Sequence, residues 1–234
     1  MYFNRDYLDL NINSSNKQYK VNNKKLIDDI INWYDKNNSD IVAGNLKTNL
    51  KGNISYNDVM TMICYKLSID EAKKYSGSYE NVDKSLKKLT KLYGEIPTGP
   101  IFRGLTKAQY DKILATTYTT LRYTSSFSTD KGQAYRFIDR DGKILTVKNC
   151  KIPLFFIDEF IRAIMFVSAA CSNEKMLTIE ECKTKQYEMT KLKYNVEDDV
   201  IGPAFANSTI ECECVILSNT KLIEVDKTNL IYNI

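Results

Sequence analysis

The sequence predicts an α+β protein whose helices come first and whose strands come later in the chain. Before residue 94, apolar residues recur at helical spacing, and after residue 100, short segments rich in β-branched and aromatic residues are typical of strands. Residues 94–100 have the sequence GEIPTGP, the strongest cluster of turn-forming residues in the chain. We therefore expect a helical N-terminal region at residues 1–96 and a sheet domain at residues 97–234, with an insertion at residues 152–194.

Three helices are predicted in the N-terminal region from apolar spacing and capping residues. The first covers residues 22–36, the second follows Ser55, which with Asp58 is typical of a capped helix start, and the third covers residues 80–93. In the third helix, an apolar stripe of Val82, Leu86, Leu89 and Tyr93 lies opposite Lys84, Lys87, Lys88 and Lys91. Because no aromatic residues alternate with these lysines, we interpret them as a solvated face and not as a nucleic-acid surface.

Strands are predicted after residue 100 where β-branched, aromatic and apolar residues dominate. The predicted strands cover residues 101–105, 116–124, 143–148, 209–217 and 222–225. Two short helices are expected between them. One begins at a capping box formed by Thr106 and Gln109. The other is capped by Asp130, and its residues Ala134 and Phe137 are expected to face inward.

The composition excludes several kinds of chemistry. The chain has no histidine, which excludes Ser–His and Cys–His catalysis and histidine metal sites. Its six cysteines form no CxxC pair, so we expect reduced thiols, most of them in the core, and no bound metal. A formal net charge of +4 permits a phosphate-rich partner without requiring one.

No segment is typical of export or of a membrane span. The first residues lack a basic stretch followed by an apolar one, so we expect no secretory signal and a cytoplasmic location in the producing or infected cell. The most apolar segment, residues 152–171, contains Asp158, Glu159 and Arg162. Charges in the middle of such a segment argue against a membrane as a partner.

Glu211 and Glu213 form the most informative pair of residues in the sequence. They are separated by one residue and precede an apolar run, so in a strand their side chains would share one face. Cys212, Cys214 and Ile216 would then point into the core. Like charges so close together are costly unless a cationic or polar group engages them. The pair therefore indicates chemistry on a substrate.

An arginine on a predicted strand, a Ser-Thr strand end and the glutamate pair follow one another along the chain. They are Arg103 in FRG, Ser128 and Thr129 in FSTD, and Glu213 in ECECVIL. This ordered set resembles the mono-ADP-ribosyltransferases of the Arg–Ser–Glu class, toxin and phage enzymes among them, whose motifs are R, S-T-S and E-x-E. The resemblance covers about residues 101–225. It implies two packed antiparallel or mixed sheets forming a split NAD-binding core, with NAD+ as substrate.

The resemblance also implies a role for each motif residue. Arg103, together with Gly104, would bind the pyrophosphate of NAD+ through its guanidinium fork. Ser128 would orient the catalytic Glu213, and Thr129 would support the pairing of their strands in the NAD+ site. Glu213 would bind the ribose 2′-hydroxyl and stabilise the cation that forms as nicotinamide leaves.

Two residues are expected at the acceptor, and one position departs from the family pattern. Glu211 would engage an incoming guanidinium. Phe205, in the loop before the glutamate strand, would either contact the acceptor or anchor the loop. Asp130 replaces the third residue of S-T-S, and its charge would either weaken NAD+ binding or favour the cationic nicotinamide ring. The missing histidine excludes the sister His–Tyr–Glu class.

We therefore expect an NAD+-dependent ADP-ribosyltransferase that modifies a macromolecular acceptor and releases nicotinamide. Arginine side chains of a host protein are the first choice of acceptor. One alternative keeps the fold and modifies RNA or DNA, and another is a non-catalytic binding module on the same fold. An NAD+ glycohydrolase, which uses water as acceptor, is a further alternative, intermediate between a transferase and a non-catalytic module. The resemblance to toxin-type enzymes also allows an inhibitory partner or antitoxin.

Overall fold

The computed structural model describes residues 21–42, 54–115, 120–121, 123–172 and 211–234. The chain divides into two compact units. We call Met1–Tyr93 with Ile157–Ile210 the helical unit, and Gly94–Phe156 with Glu211–Ile234 the sheet unit. Within the described residues, no helix is both long and apolar enough to cross a membrane.

Seven helices and six strands are present in the described residues. The helices are α1 (Lys24–Val42), α2 (Tyr56–Leu67), α3 (Ile69–Ser76), α4 (Tyr79–Tyr93), α5 (Lys107–Ala115), α6 (Lys131–Tyr135) and α7 (Ile157–Ser172). The strands are β1 (Ile101–Leu105), β2 (Ser125–Ser128), β3 (Lys143–Asn149), β4 (Glu213–Ile216), β5 (Ile223–Asp226) and β6 (Ile231–Asn233). The predicted combination of helices and sheet, with helices first, is confirmed.

The second helix begins as the sequence predicts. The Ser55 hydroxyl accepts a hydrogen bond from the Asp58 backbone N at 3.2 Å, and the Asp58 carboxylate accepts one from the Ser55 backbone N at 2.8 Å. The same carboxylate accepts hydrogen bonds from Ser85 Oγ at 2.6 Å and from Lys88 Nζ at 2.9 Å, both on α4. Burial raises the pKa of Asp58, but these hydrogen bonds outweigh burial and hold the pKa below its ordinary value.

The core of the helical unit includes α7, which lies within residues 152–194, the stretch predicted as an insertion. The predicted apolar stripe of α4 is buried at Val82, Leu86, Leu89 and Tyr93. On α7, Asp158 forms an ion pair of 2.6 Å with Lys66 of α2, and both side chains are almost completely buried. Glu159, also on α7, accepts hydrogen bonds from the backbone N of Asn22 and, at 2.8 Å, of Asn23. These contacts hold α7 within the helical unit.

The described strands of the sheet unit form one six-stranded sheet in the order β4-β2-β1-β3-β6-β5. Neighbouring strands are antiparallel except for β3 and β6, which are parallel. Buried side chains on one face belong to a single hydrophobic core that includes Ile101, Leu105, Phe127, Leu145, Val147, Cys214 and Ile216. The two packed sheets that the resemblance implies stay a prediction.

Three of the predicted strands are confirmed to within a residue, namely those now labelled β1, β3 and β5. The strand predicted over residues 116–124 is wrong in the part that the structure describes, residues 120, 121, 123 and 124. Residues 116–119 and 122 lie outside the described residues, Thr120 forms an isolated bridge with Lys221, and β2 itself starts only at Ser125. Pairing with β4 begins at Ser125, so the sheet decided the strand start and local propensity did not. The short β6 is missing from the sequence prediction.

The two short helices of the sheet unit follow their predicted caps. Gln109 Oε1 accepts a hydrogen bond from the Thr106 backbone N at 3.0 Å at the start of α5. In α6, Ala134 is buried as predicted, but the prediction that Phe137 faces inward is wrong, because its side chain is 57% exposed. α6 ends at Tyr135, so helical periodicity does not extend to Phe137.

Candidate functional site

Three motifs that lie far apart in the sequence come together on adjacent strands. β1 carries Arg103, β2 ends at Ser128 and β4 begins at Glu213, and the three strands lie side by side. The register places Phe102 opposite Ser128 and Ser128 opposite Glu213. Residues directly opposite one another in a sheet share a face. Ser128 and Glu213 are therefore neighbours on one face of the sheet, which we call the glutamate face.

The hydroxyl of Ser128 joins the end of β2 to the residues that lead into β4. Its Oγ donates a hydrogen bond to the carbonyl oxygen of Glu211 at 2.7 Å and accepts one from the Asp130 backbone N at 3.0 Å. Beside it, the Thr129 backbone N donates to the carbonyl oxygen of Cys212 at 3.1 Å. The pairing role predicted for Thr129 thus has a backbone basis. A contact between Ser128 and the Glu213 carboxylate stays a prediction.

The strand predicted over residues 209–217 is wrong at its start, and with it the argument that Glu211 and Glu213 share a strand face. β4 begins only at Glu213, and the residue before it, Cys212, has a φ of +50°, in the left-handed region. The alternation of faces holds only in extended backbone, so the spacing of two does not align the pair. Cys214 and Ile216 are buried as predicted, whereas Cys212 is only partly buried.

Arg103 does not lie on the glutamate face. It stands opposite Leu145 in the register, and its guanidinium carbon is 6.0 Å from the centre of the Phe127 ring. Phe127 is opposite Cys214 in the register. Leu145, Phe127 and Cys214 all belong to the hydrophobic core. The Nη1 atom of Arg103 is buried and has no hydrogen-bond partner within the described part of the chain. The role of Arg103 at the pyrophosphate of NAD+ stays a prediction.

Gly104 and Asp130 fix α6 close to β1. A Cβ atom at Gly104 would lie 2.2 Å from the carbonyl oxygen of Ala134, so the close approach of α6 requires a glycine. The Asp130 carboxylate accepts a hydrogen bond from the Gly132 backbone N at 2.7 Å and caps α6, as predicted. Capping accounts for aspartate at the position where the family motif has serine.

One feature of the glutamate face is missing from the sequence prediction. A cavity of about 660 Å³ is lined by Phe102 and by three lysines, Lys131, Lys143 and Lys148. Lys131 begins α6, whereas Lys143 and Lys148 lie near opposite ends of β3. Lys143 is opposite Leu105 in the register, and it lines the cavity as the exposed first residue of β3. No sequence pattern links them. Phe205, the other residue expected at the acceptor, lies outside the described residues.

Comparisons with known proteins identify no relative of this chain. No family model matches the chain, and neither does any curated protein or any solved structure. Within the described residues, no group of three or more cysteine, aspartate and glutamate side chains is placed to hold a metal ion. Evidence for the function therefore comes from the residues and register of the sheet unit.

Proposed function

We propose that the protein transfers ADP-ribose from NAD+ to a macromolecular acceptor, with protein arginine as the first choice, and releases nicotinamide. The observation that supports this proposal is the alignment of the three motif strands, with Ser128 directly opposite Glu213. In this proposal, the glutamate face is one wall of the split NAD-binding core, and NAD+ is a substrate held without a Rossmann fold.

Glu213 performs the central step. When the bond between nicotinamide and the ribose breaks, positive charge develops on the ribose ring, as in glycoside hydrolysis. A carboxylate bonded to the ribose 2′-hydroxyl stabilises that charge, and the partial burial of Glu213 strengthens the interaction. Nicotinamide leaves as a neutral molecule with the bonding electron pair, so no acid is needed. The acceptor then bonds to the anomeric carbon with inversion.

Glu211 and Ser128 prepare the site for the acceptor. The hydrogen bond from Ser128 Oγ to the carbonyl oxygen of Glu211 fixes the backbone from which the Glu211 side chain extends. A carboxylate there pairs with a guanidinium and helps to remove its proton as the new bond forms. Asp130 does not oppose NAD+ binding as a bare charge, because its carboxylate is engaged in capping α6.

Protein is favoured over nucleic acid as acceptor because the lysine-rich side of α4 is partly neutralised. Lys84 forms an ion pair with Glu80 at 3.0 Å, and Lys88 forms one with Asp58 at 2.9 Å. A nucleic-acid surface needs cations that can neutralise phosphates. Two of the four lysines on this side of α4, which are Lys84, Lys87, Lys88 and Lys91, already have acidic partners.

The proposal is tested by incubating the protein with labelled NAD+ and host-cell lysate and then digesting parallel samples with protease or nuclease. Glu213→Gln is the inactive variant. Glu224→Gln is the matched control, because Glu224 is exposed on β5 of the same sheet. Protease-sensitive label that requires Glu213 but not Glu224 is the expected result. Nuclease-sensitive label would move the acceptor to RNA or DNA, and the absence of any Glu213-dependent label would contradict transfer.

A further inference from the structure

The cavity of the sheet unit continues the row of residues that begins at Glu213. Phe102, Thr146 and Ile231 line the cavity and stand opposite one another on β1, β3 and β6. Phe102 is also opposite Ser128, which is opposite Glu213, so all five residues share the glutamate face. Neighbouring strands are about 4.8 Å apart, which puts Phe102 about 10 Å from Glu213. A single extended ligand can reach both.

The cavity is positively charged. Lys131, at the start of α6, and Lys143 and Lys148, on β3, line it, and no aspartate or glutamate does among its described lining residues. Three lysines and no carboxylate among the described lining residues give the cavity a positive potential that favours an anionic ligand. Lys148 is partly compensated: the pKa of Asp226 is lowered chiefly by hydrogen bonds from Asn229 and in small part by the charge of Lys148. The two lysines chosen for the test are Lys131, whose Nζ lies over the Tyr135 ring, and Lys143, the exposed first residue of β3.

The wall of the cavity also offers aromatic rings. Tyr135 is 51% exposed, and the Nζ of Lys131 lies 5.8 Å from the centre of its ring. Phe102 adds a second, partly buried ring. Aromatic rings beside cations suit a ligand that carries both a flat base and phosphates. The volume of about 660 Å³ lies within the range of small-molecule sites.

We propose that this cavity binds the phosphates and base of a nucleotide, and that it holds the ADP half of NAD+ while Glu213 acts on the nicotinamide ribose. That the nucleotide is NAD+ rests on the proposed function. The affinity of the cavity for a nucleotide rests on its own lysines and rings. Lys131 and Lys143, which line the cavity, thereby take the role that the family resemblance gives to Arg103, whose guanidinium lies beside the Phe127 ring in the hydrophobic core.

The test is the affinity for ADP, measured by isothermal titration calorimetry on the unmodified chain and on single variants. Lys131→Gln and Lys143→Gln should each weaken ADP binding roughly tenfold, because each removes a charged group that binds a phosphate. Lys151→Gln removes the same charge from an exposed lysine outside the cavity and should leave the affinity unchanged. Binding should also weaken as salt is raised.

A second comparison tests the base. The unmodified chain should bind ADP more tightly than inorganic pyrophosphate, and Tyr135→Ala should reduce that preference about tenfold. Circular dichroism melts confirm that each variant is folded. Two results would overturn the proposal. One is an ADP affinity that is unchanged in both lysine variants. The other is an ADP affinity that is lost in Arg103→Met but kept in both lysine variants.

Nicotinamide release from NAD+, measured on the same proteins, separates this proposal from the proposed function. If ADP binding depends on the lysines but nicotinamide release does not depend on Glu213, the nucleotide site is supported and the transferase proposal is contradicted. If nicotinamide release depends on Glu213 but ADP binding is unaffected in the Lys131 and Lys143 variants, the transferase proposal is supported. The cavity is then not its nucleotide site.

Discussion

The helical unit and the sheet unit use charged groups in different ways. In the helical unit, Lys66 and Asp158 bind each other in the interior, and the Asp58 carboxylate is surrounded by hydrogen-bond donors that include Lys88. In the sheet unit, Glu213 lies partly buried at the start of a strand, and three lysines surround a cavity. The first arrangement serves stability and the second suits a ligand. Substitutions in the two units should therefore change different quantities.

The largest expected effect is on the buried ion pair of the helical unit. Lys66→Ala leaves the Asp158 carboxylate in the interior without its cation, which should lower the free energy of unfolding by about 3–5 kcal/mol. Urea denaturation measures this change. Lys74→Ala, which breaks the exposed pair between Lys74 and Glu71, is the control and should leave the midpoint in place. Equal shifts in the two variants would mean that the Lys66 pair is not buried.

In the sheet unit, Gly104→Ala should have the next largest effect. The added Cβ would meet the carbonyl oxygen of Ala134 at 2.2 Å, so α6 or β1 must shift, at a cost of about 1–3 kcal/mol in unfolding free energy. Because β1 pairs with the strand that ends at Ser128, nicotinamide release should fall as well. Gly99→Ala is the control, since nothing lies within 4 Å of its Cβ position. A stable and fully active Gly104→Ala protein would show that α6 is not packed this closely.

A pH titration should single out Asp58. Its pKa is lower in the folded protein than its ordinary value of 3.8, so its stabilising effect is fully present above that value and is lost as the pH falls through the lowered pKa. Asp58→Asn should lower the unfolding free energy by about 1–3 kcal/mol near neutral pH, and the gap to the parent should close in acid. A gap that widens as the pH falls would contradict the hydrogen-bond pattern around Asp58.

The smallest stability effect is expected at Ser128. Ser128→Ala removes hydrogen bonds to the Glu211 carbonyl oxygen and from the Asp130 backbone N, which should cost about 1 kcal/mol. Because Ser128 is opposite Glu213 and its hydroxyl holds the Glu211 backbone two residues before it, the turnover number for nicotinamide release should fall more than stability does. Ser128→Thr keeps the hydroxyl and should restore part of the turnover. A loss of stability with normal turnover would make Ser128 purely structural.

What the sequence predicts well is local. The cap at Ser55, the capping box at Thr106 and the cap at Asp130 each depend on residues two or three positions apart, and all three are present in the structure. The apolar stripe of α4 is buried for the same reason, because helical spacing decides it within one element. In such cases, a few neighbouring residues fix the outcome.

What the sequence does not predict is set by pairing between distant segments. β2 starts at Ser125 because β4 is opposite it there, whereas β-branched residues before Thr124 had favoured an earlier strand. The left-handed backbone at Cys212 is rare for cysteine and ends the alternation on which the glutamate pair depends. The lysine cavity likewise depends on the register of β1 with β3, which no local pattern specifies.

The measurement that tests the central claim most directly is nicotinamide release from purified NAD+ by the unmodified chain, Glu213→Gln and Glu224→Gln. We expect release by the unmodified chain and by Glu224→Gln, and a decrease of roughly a hundredfold or more in Glu213→Gln, because the carboxylate that stabilises the ribose cation is neutralised. Melting temperatures of the three proteins should agree. Equal release by the two folded variants, or none by the unmodified chain with or without lysate, would contradict the assignment of Glu213 to catalysis.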